Sequence, residues 1–135
     1  MSVTPSVPAS LAAVGGVPRL ILRGEGLALL IVAAAAYGQS GFSWLLFAAL
    51  FLAPDLTFIA YLAGPRVGAV AYNSLHTTLL PLALGAVSFA ARWPLGEALS
   101  LIWLAHVGFD RALGYGLKYG ASFNDTHLGR IGRSA

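Results

Sequence analysis

Cysteine is absent from this 135-residue chain, which excludes disulfides, iron–sulfur clusters and thiolate zinc sites. Charge is scarce as well. Only 10% of the residues are Asp, Glu, Lys or Arg, against roughly 25% in a soluble domain, so water cannot wet most of the surface. No HExxH or comparably tight catalytic motif occurs, and there is no heptad and no internal repeat. The eight basic residues outnumber the five acidic ones, for a net charge of +3. They stand singly at the ends of apolar segments rather than in a patch. That placement argues against a nucleic-acid surface and reads as a membrane-orientation signal.

What fills the chain instead is hydrocarbon: 58% of residues are hydrophobic and the mean hydropathy is +0.78. Four apolar runs, at about 20–37, 43–63, 67–91 and 97–118, each reach the roughly 20 residues that cross a bilayer as a helix. They are continuous rather than alternating, so they satisfy their backbone as helices and not as a barrel. Gly and Pro punctuate the intervals, in Gly38 to Gly41, Gly64-Pro65-Arg66 and Arg92-Trp93-Pro94. The fold class expected is therefore all-α, a four-transmembrane-helix bundle over residues 19–120. An uncharged leader over 1–18 should be loosely ordered, and a tail over 121–135 follows the bundle. Ala33 to Ala36 resembles a small-residue cleavage site, but Glu25 inside the run and the Pro-containing leader before it argue against a cleaved signal. With alternating spans, seven of the eight basic residues fall on one side and only Arg92 on the other. Both termini are then expected in the cytoplasm.

Ionisable groups within spans cost about 2.5–3.5 kcal/mol each on insertion scales and need a reason. Here they are Glu25, Asp55, His76, His106, Asp110 and Arg111, with Tyr72 and Asn73 beside them. Their depths from the cytoplasmic boundary converge. Glu25 and Asn73 lie roughly 8–9 Å deep, Asp55, His76 and Asp110 roughly 12–14 Å, and His106 roughly 18 Å. One polar layer near the inner leaflet is the expectation. His106 and Asp110 share a face of the fourth helix, as do Tyr72 and His76 on the third. Pro54 frees a backbone carbonyl one turn earlier and is placed to kink the second helix beside Asp55.

Three functions follow from that layer. In the first, His76, His106 and a carboxylate, Asp110 or Asp55, hold a divalent metal such as zinc. Glu25 or the spare Asp is the general base of a membrane hydrolase acting on a lipid or amphipathic substrate. Asn73 or the unused Asp would orient the ligand rings. In the second, the protein is a non-catalytic accessory or scaffold subunit of a larger membrane complex. In the third, His76 and His106 are axial ligands to haem or a pigment. A structural polar core is the plain alternative to all three. Gly108, Ala112, Gly116 and Gly120 form a small-residue stripe on the other face of the fourth helix, suited to close helix packing within the bundle, in a homo-oligomer or in a larger complex. In the tail, Asp125 and His127 are placed to fold back under the cluster.

The run Trp103-Leu104-Ala105-His106-Val107-Gly108-Phe109-Asp110-Arg111, continuing through Gly114-Tyr115-Gly116-Leu117-Lys118-Tyr119 to Asp125-Thr126-His127-Leu128-Gly129-Arg130, resembles the DUF4260 family. So do Pro54-Asp55 and Tyr72-Asn73-Ser74-Leu75-His76. The resemblance covers about residues 20–132 and leaves the leader outside. It implies a small bacterial integral membrane protein, placed in the inner membrane, and assigns no catalytic residue.

Overall fold

The computed structural model describes residues 15–115 and two short strands in the tail. The described residues are helices joined by short turns, apart from the antiparallel pair β1 (Asp125–Thr126) and β2 (Gly129–Arg130). Helix α1 spans Gly16–Gly38, α2 Trp44–Phe51, α3 Pro65–His76, α4 Leu79–Ala90 and α5 Pro94–Ala112. A 3-10 segment over Ala53–Ala63 joins α2 to α3. Two stretches, Gly16–Gly38 and Trp44–Ala63, are long and apolar enough to cross a membrane. The surface is apolar as well: Leu45, Leu56, Leu62, Val70, Leu79 and Phe89 all stand out from it. His76, Ser88, Ser100, His106 and Asp110 are buried.

The expected helices differ from the observed ones at three places. First, α1 begins at Gly16, within the expected leader, because Pro18 is tolerated in a first turn where its missing N–H has no partner to lose. Second, the run 67–91 is not one helix. It breaks after His76, where Thr77 is extended (φ −78°, ψ 154°) and its Oγ1 accepts from the Leu79 amide at 3.2 Å. Pro81 is the cause, since it cannot donate to the Thr77 carbonyl and its ring would strike it. Third, α5 stops at Ala112, with Gly114 at φ +89° in the left-handed turn beyond. The expected span to Lys118 is shortened accordingly, and Lys118 itself lies outside the described residues.

Pro54 acts in the same way on the second run. It cannot bond the Leu50 carbonyl, and the Asp55 amide turns instead to Leu52 at 3.0 Å. From there the backbone continues as a 3-10 helix, whose side chains eclipse every third residue. Asp55, Phe58 and Tyr61 thus line one edge. They face His76, Tyr72 and Gly68, which lie four apart on α3. Asp55 Oδ1 stands 3.2 Å from His76 Nε2, the Phe58 ring stacks on Tyr72, and Tyr61 covers Gly68 so closely that a Cβ there would strike its ring. The two periods match because three residues at about 2.0 Å and four at about 1.5 Å both rise about 6 Å.

Helices α1 and α5 pack antiparallel and hold the core. Ala33 meets Leu104 and Ala105 in one buried cluster, and Tyr37 meets Ala98 and Ile102 in the next. At the crossing, a Cβ on Gly108 would lie 2.7 Å from the Gly26 carbonyl oxygen, and a Cβ on Gly26 2.8 Å from the Ala112 amide. The start of the small-residue stripe, Gly108 and Ala112, therefore serves the chain's own first helix. Gly116 and Gly120 lie outside the described residues. On its other side α5 receives α4, with Ser100 donating to the Pro81 carbonyl at 2.7 Å.

Candidate metal centre

Three elements deliver four side chains to one point. The 3-10 segment brings Asp55, α3 brings His76 as its last residue, and α5 brings His106 and Asp110 from adjacent turns of one face. One ligand atom from each lies within 4.8 Å of all the others. His76 Nε2 stands 3.2 Å from Asp55 Oδ1 and 3.3 Å from Asp110 Oδ2. His106 Nε2 stands 3.2 Å from each of the same two oxygens. The two Nε2 atoms are 3.0 Å apart. His76 and His106 are buried, Asp110 nearly so, and the Asp55 side chain retains 29% of its exposure.

These are the edges of a small tetrahedron. Ligands at roughly 2.0–2.1 Å from a four-coordinate zinc sit roughly 3.3 Å from one another, and five of the six edges here measure 3.0–3.3 Å. The donor set, two imidazoles and two carboxylates, suits a borderline divalent ion such as zinc. The ring orientations agree. His76 Nδ1 is 2.8 Å from the Tyr72 carbonyl oxygen. Donating there leaves its Nε2 lone pair aimed at the centre. His106 Nδ1 is buried without a well-formed hydrogen bond among the described residues, with the Phe51 backbone as the acceptor beside the ring. The Phe51 carbonyl is spared from the helix ladder because Asp55 bonds Leu52 instead. Four potential ligand atoms thus converge on one point.

Aromatic rings wall the cluster. Tyr72 stacks on His76, with 3.6 Å between centroids and 7° between planes, and Phe51 meets His106 edge-on at 5.4 Å. The Tyr72 hydroxyl donates to Asp110 Oδ2 at 3.4 Å. Trp103 Nε1 donates to the Leu75 carbonyl at 2.6 Å. The break after His76 orphans that carbonyl, since the Leu79 amide bonds Thr77 instead.

Of the residues expected in the polar layer, Asp55, His76, His106, Asp110 and Tyr72 come together. Glu25 does not. It is exposed on α1, on the Arg111 side of the bundle, because equal depth does not fix the direction in which a helix faces. Asn73 is half-buried and is not the partner of His76 Nδ1, a role taken by the Tyr72 carbonyl. Arg111 is half-buried between Tyr72 and Glu25. The side chain of Asp125 and the whole of His127 lie outside the described residues. With their Nε2 atoms 3.0 Å apart, the two histidines stand side by side in one cluster rather than apart as a pair of axial ligands would. Sequence reasoning missed Trp103 and the backbone acceptor for His76. The signal for Trp103 was its place three residues before His106, which puts it on the neighbouring turn.

A family model described as a domain of unknown function, DUF4260, matches residues 19–131. The chain belongs to the DUF4260 family. The matched region contains all four residues of the cluster in this DUF4260 chain and excludes the first 18 residues. No curated protein and no solved structure matches it.

Proposed function

We propose that this DUF4260 protein is a four-span membrane protein, both termini cytoplasmic, that binds a zinc-type divalent metal within its bundle and hydrolyses a lipid linkage there. The broken run α3–α4 and the 19-residue α5 supply the third and fourth crossings. The observation that carries the metal is the set of five ligand edges at 3.0–3.3 Å. A bound ion of this kind supplies Lewis acidity and lowers the pKa of water at its open position.

The residues divide by burial. His76, His106 and Asp110 are the enclosed ligands, three protein groups as in catalytic zinc sites. In the hydrolytic reading Asp55 yields the fourth corner to water and stands beside it, as the one with access to the surface. Its carboxylate is placed to take a proton from the attacking water and return it to the leaving oxygen, as the bond between that oxygen and the acyl or phosphoryl centre breaks. Tyr72 holds Asp110, and its carbonyl holds His76.

Metal analysis of protein purified in mild detergent without chelator tests the reading. The expected result is close to one ion per chain, lost in His76→Ala and His106→Ala. A metal-free parent that takes up no added zinc ends it. A closed four-ligand site is the second reading, favoured by the presence of all four donors at tetrahedral spacing. Asp55→Asn separates the two. It keeps the metal and loses hydrolysis if Asp55 is a base, and it loses metal affinity if Asp55 is a structural ligand.

A further inference from the structure

Beside the cluster, a crevice of about 240 Å³ opens between the 3-10 segment, α3 and α5. Leu50, Pro54, Leu75, Leu99, Ile102 and Trp103 line it. Its volume is below the roughly 300–1,000 Å³ of a drug-sized pocket, and its walls are hydrocarbon, so it suits a single chain rather than a polar ring. Its lining residues neighbour the candidate centre in sequence. Pro54 precedes Asp55, Leu75 precedes His76, and Ile102 lies one turn from His106. Along α5 the crevice lies toward the helix start, with Ile102 about 12 Å above Asp110 at 1.5 Å per residue.

Basic groups gather at the opposite end of α5. Arg23 Nε donates to the Ala112 carbonyl at 2.9 Å. A Cβ on Gly114 would meet the Arg19 guanidinium at 2.7 Å and Arg23 Nε at 3.7 Å. Arg111 follows the ligand Asp110 directly, with Glu25 as the one acidic neighbour from α1. Measured along the helix axis from that end inward, the arginines come first, then the His/Asp cluster, then the apolar slot. A phospholipid has the same order of phosphate, linkage and acyl chain, and Arg suits phosphate oxygens by its fork of donors.

We propose that the crevice lined by Leu50, Leu75, Leu99, Ile102 and Trp103 holds one acyl chain of a membrane phospholipid, whose phosphate faces Arg19, Arg23 and Arg111. This names the substrate class for the site and rests on the proposed hydrolytic reading for its chemistry, though not for the binding itself. An occupant would touch Pro54 and so contact the segment that carries Asp55.

The test is photolabelling of the full chain in mixed phosphatidylcholine and phosphatidylglycerol vesicles, with a trace phospholipid bearing a diazirine near its chain terminus. Labelled peptides are mapped by mass spectrometry. Labels should concentrate several-fold on peptides containing Leu99 and Trp103 relative to those containing Val87, which is exposed on α4. Leu99→Trp and Leu50→Phe fill the crevice from different helices and should each lower that labelling several-fold, with helix content by circular dichroism unchanged. Val87→Trp should leave it as it was. Even labelling over the apolar surface, or undiminished labelling in the filled variants, overturns the assignment. A diacylglycerol probe that labels the crevice as well as the phospholipid overturns the phosphate half. Chelator-treated protein should label equally, so a metal-free parent defeats the hydrolytic reading while leaving this one standing.

Discussion

The Tyr72 ring lies flat against the His76 ring, 3.6 Å between centroids and 7° from parallel, while the Tyr72 carbonyl oxygen stands 2.8 Å from the same imidazole's Nδ1. One residue thus fixes both the plane and the tautomer of a candidate ligand. Its hydroxyl reaches a second ligand, Asp110, at 3.4 Å. Tyr72→Phe keeps the stack and the carbonyl and loses only that long bond, so zinc affinity should fall by less than the roughly 10–100-fold typical of outer-shell partners. Tyr72→Leu also removes the ring and should reach that range. Competition titration against a chromogenic chelator measures both.

Metal retention should fall as pH is lowered, because both imidazoles must be neutral and the carboxylates ionised to bind. Equilibrium dialysis at a series of pH values would show this, with the release displaced to higher pH in Asp110→Asn. Retention that is flat across the acid range would contradict a His/Asp ligand set.

Close approach of α1 and α5 depends on Gly26 and Gly108, where an added Cβ would meet opposing backbone atoms at 2.7–2.9 Å. Backbone cannot swing aside as a side-chain end can. Gly108→Ala should therefore cost about 1–3 kcal/mol, the usual penalty of overpacking, in thermal or denaturant unfolding in detergent. Ala112→Gly, on the same face, should cost about 1 kcal/mol through helix propensity alone.

The break after His76 rests on Pro81 and on the Thr77 hydroxyl, which accepts from the Leu79 amide at 3.2 Å. Thr77→Ala should destabilise by about 1 kcal/mol, as loss of a capping side chain does. Pro81→Ala should instead favour a continuous helix through Thr77, moving the Leu75 carbonyl away from Trp103 and weakening metal binding. Infrared amide bands and the zinc titration together separate the two effects.

Much of the site was legible because hydrocarbon makes polar residues conspicuous: Asp55, His76, His106 and Asp110 stand out from apolar runs, and depth alone aligned them. Depth carries no azimuth, however, and Glu25 was grouped with them although α1 turns it outward. Pro54 announced the turn into the 3-10 segment. Pro81 carried the same message for the third run, but the unbroken hydropathy of 67–91 outweighed it. The end of α5 at Ala112 was hidden in a similar way, with small and apolar residues continuing past the Gly114 turn. The acceptor for His76 is the backbone carbonyl of Tyr72. Every residue has a carbonyl, so no side chain could mark it in advance.

The pairing of Asp55, Phe58 and Tyr61 with His76, Tyr72 and Gly68 makes this stretch sensitive to length more than to composition. Removing one residue between Asp55 and Tyr61 turns all that follows by about 120°, the rotation of a 3-10 step. Tyr61 then leaves α3, or Asp55 leaves the histidines. Chains that share this centre can exchange one apolar side chain for another between these positions, but they must keep the same number of residues from Asp55 to Tyr61 and from Gly68 to His76.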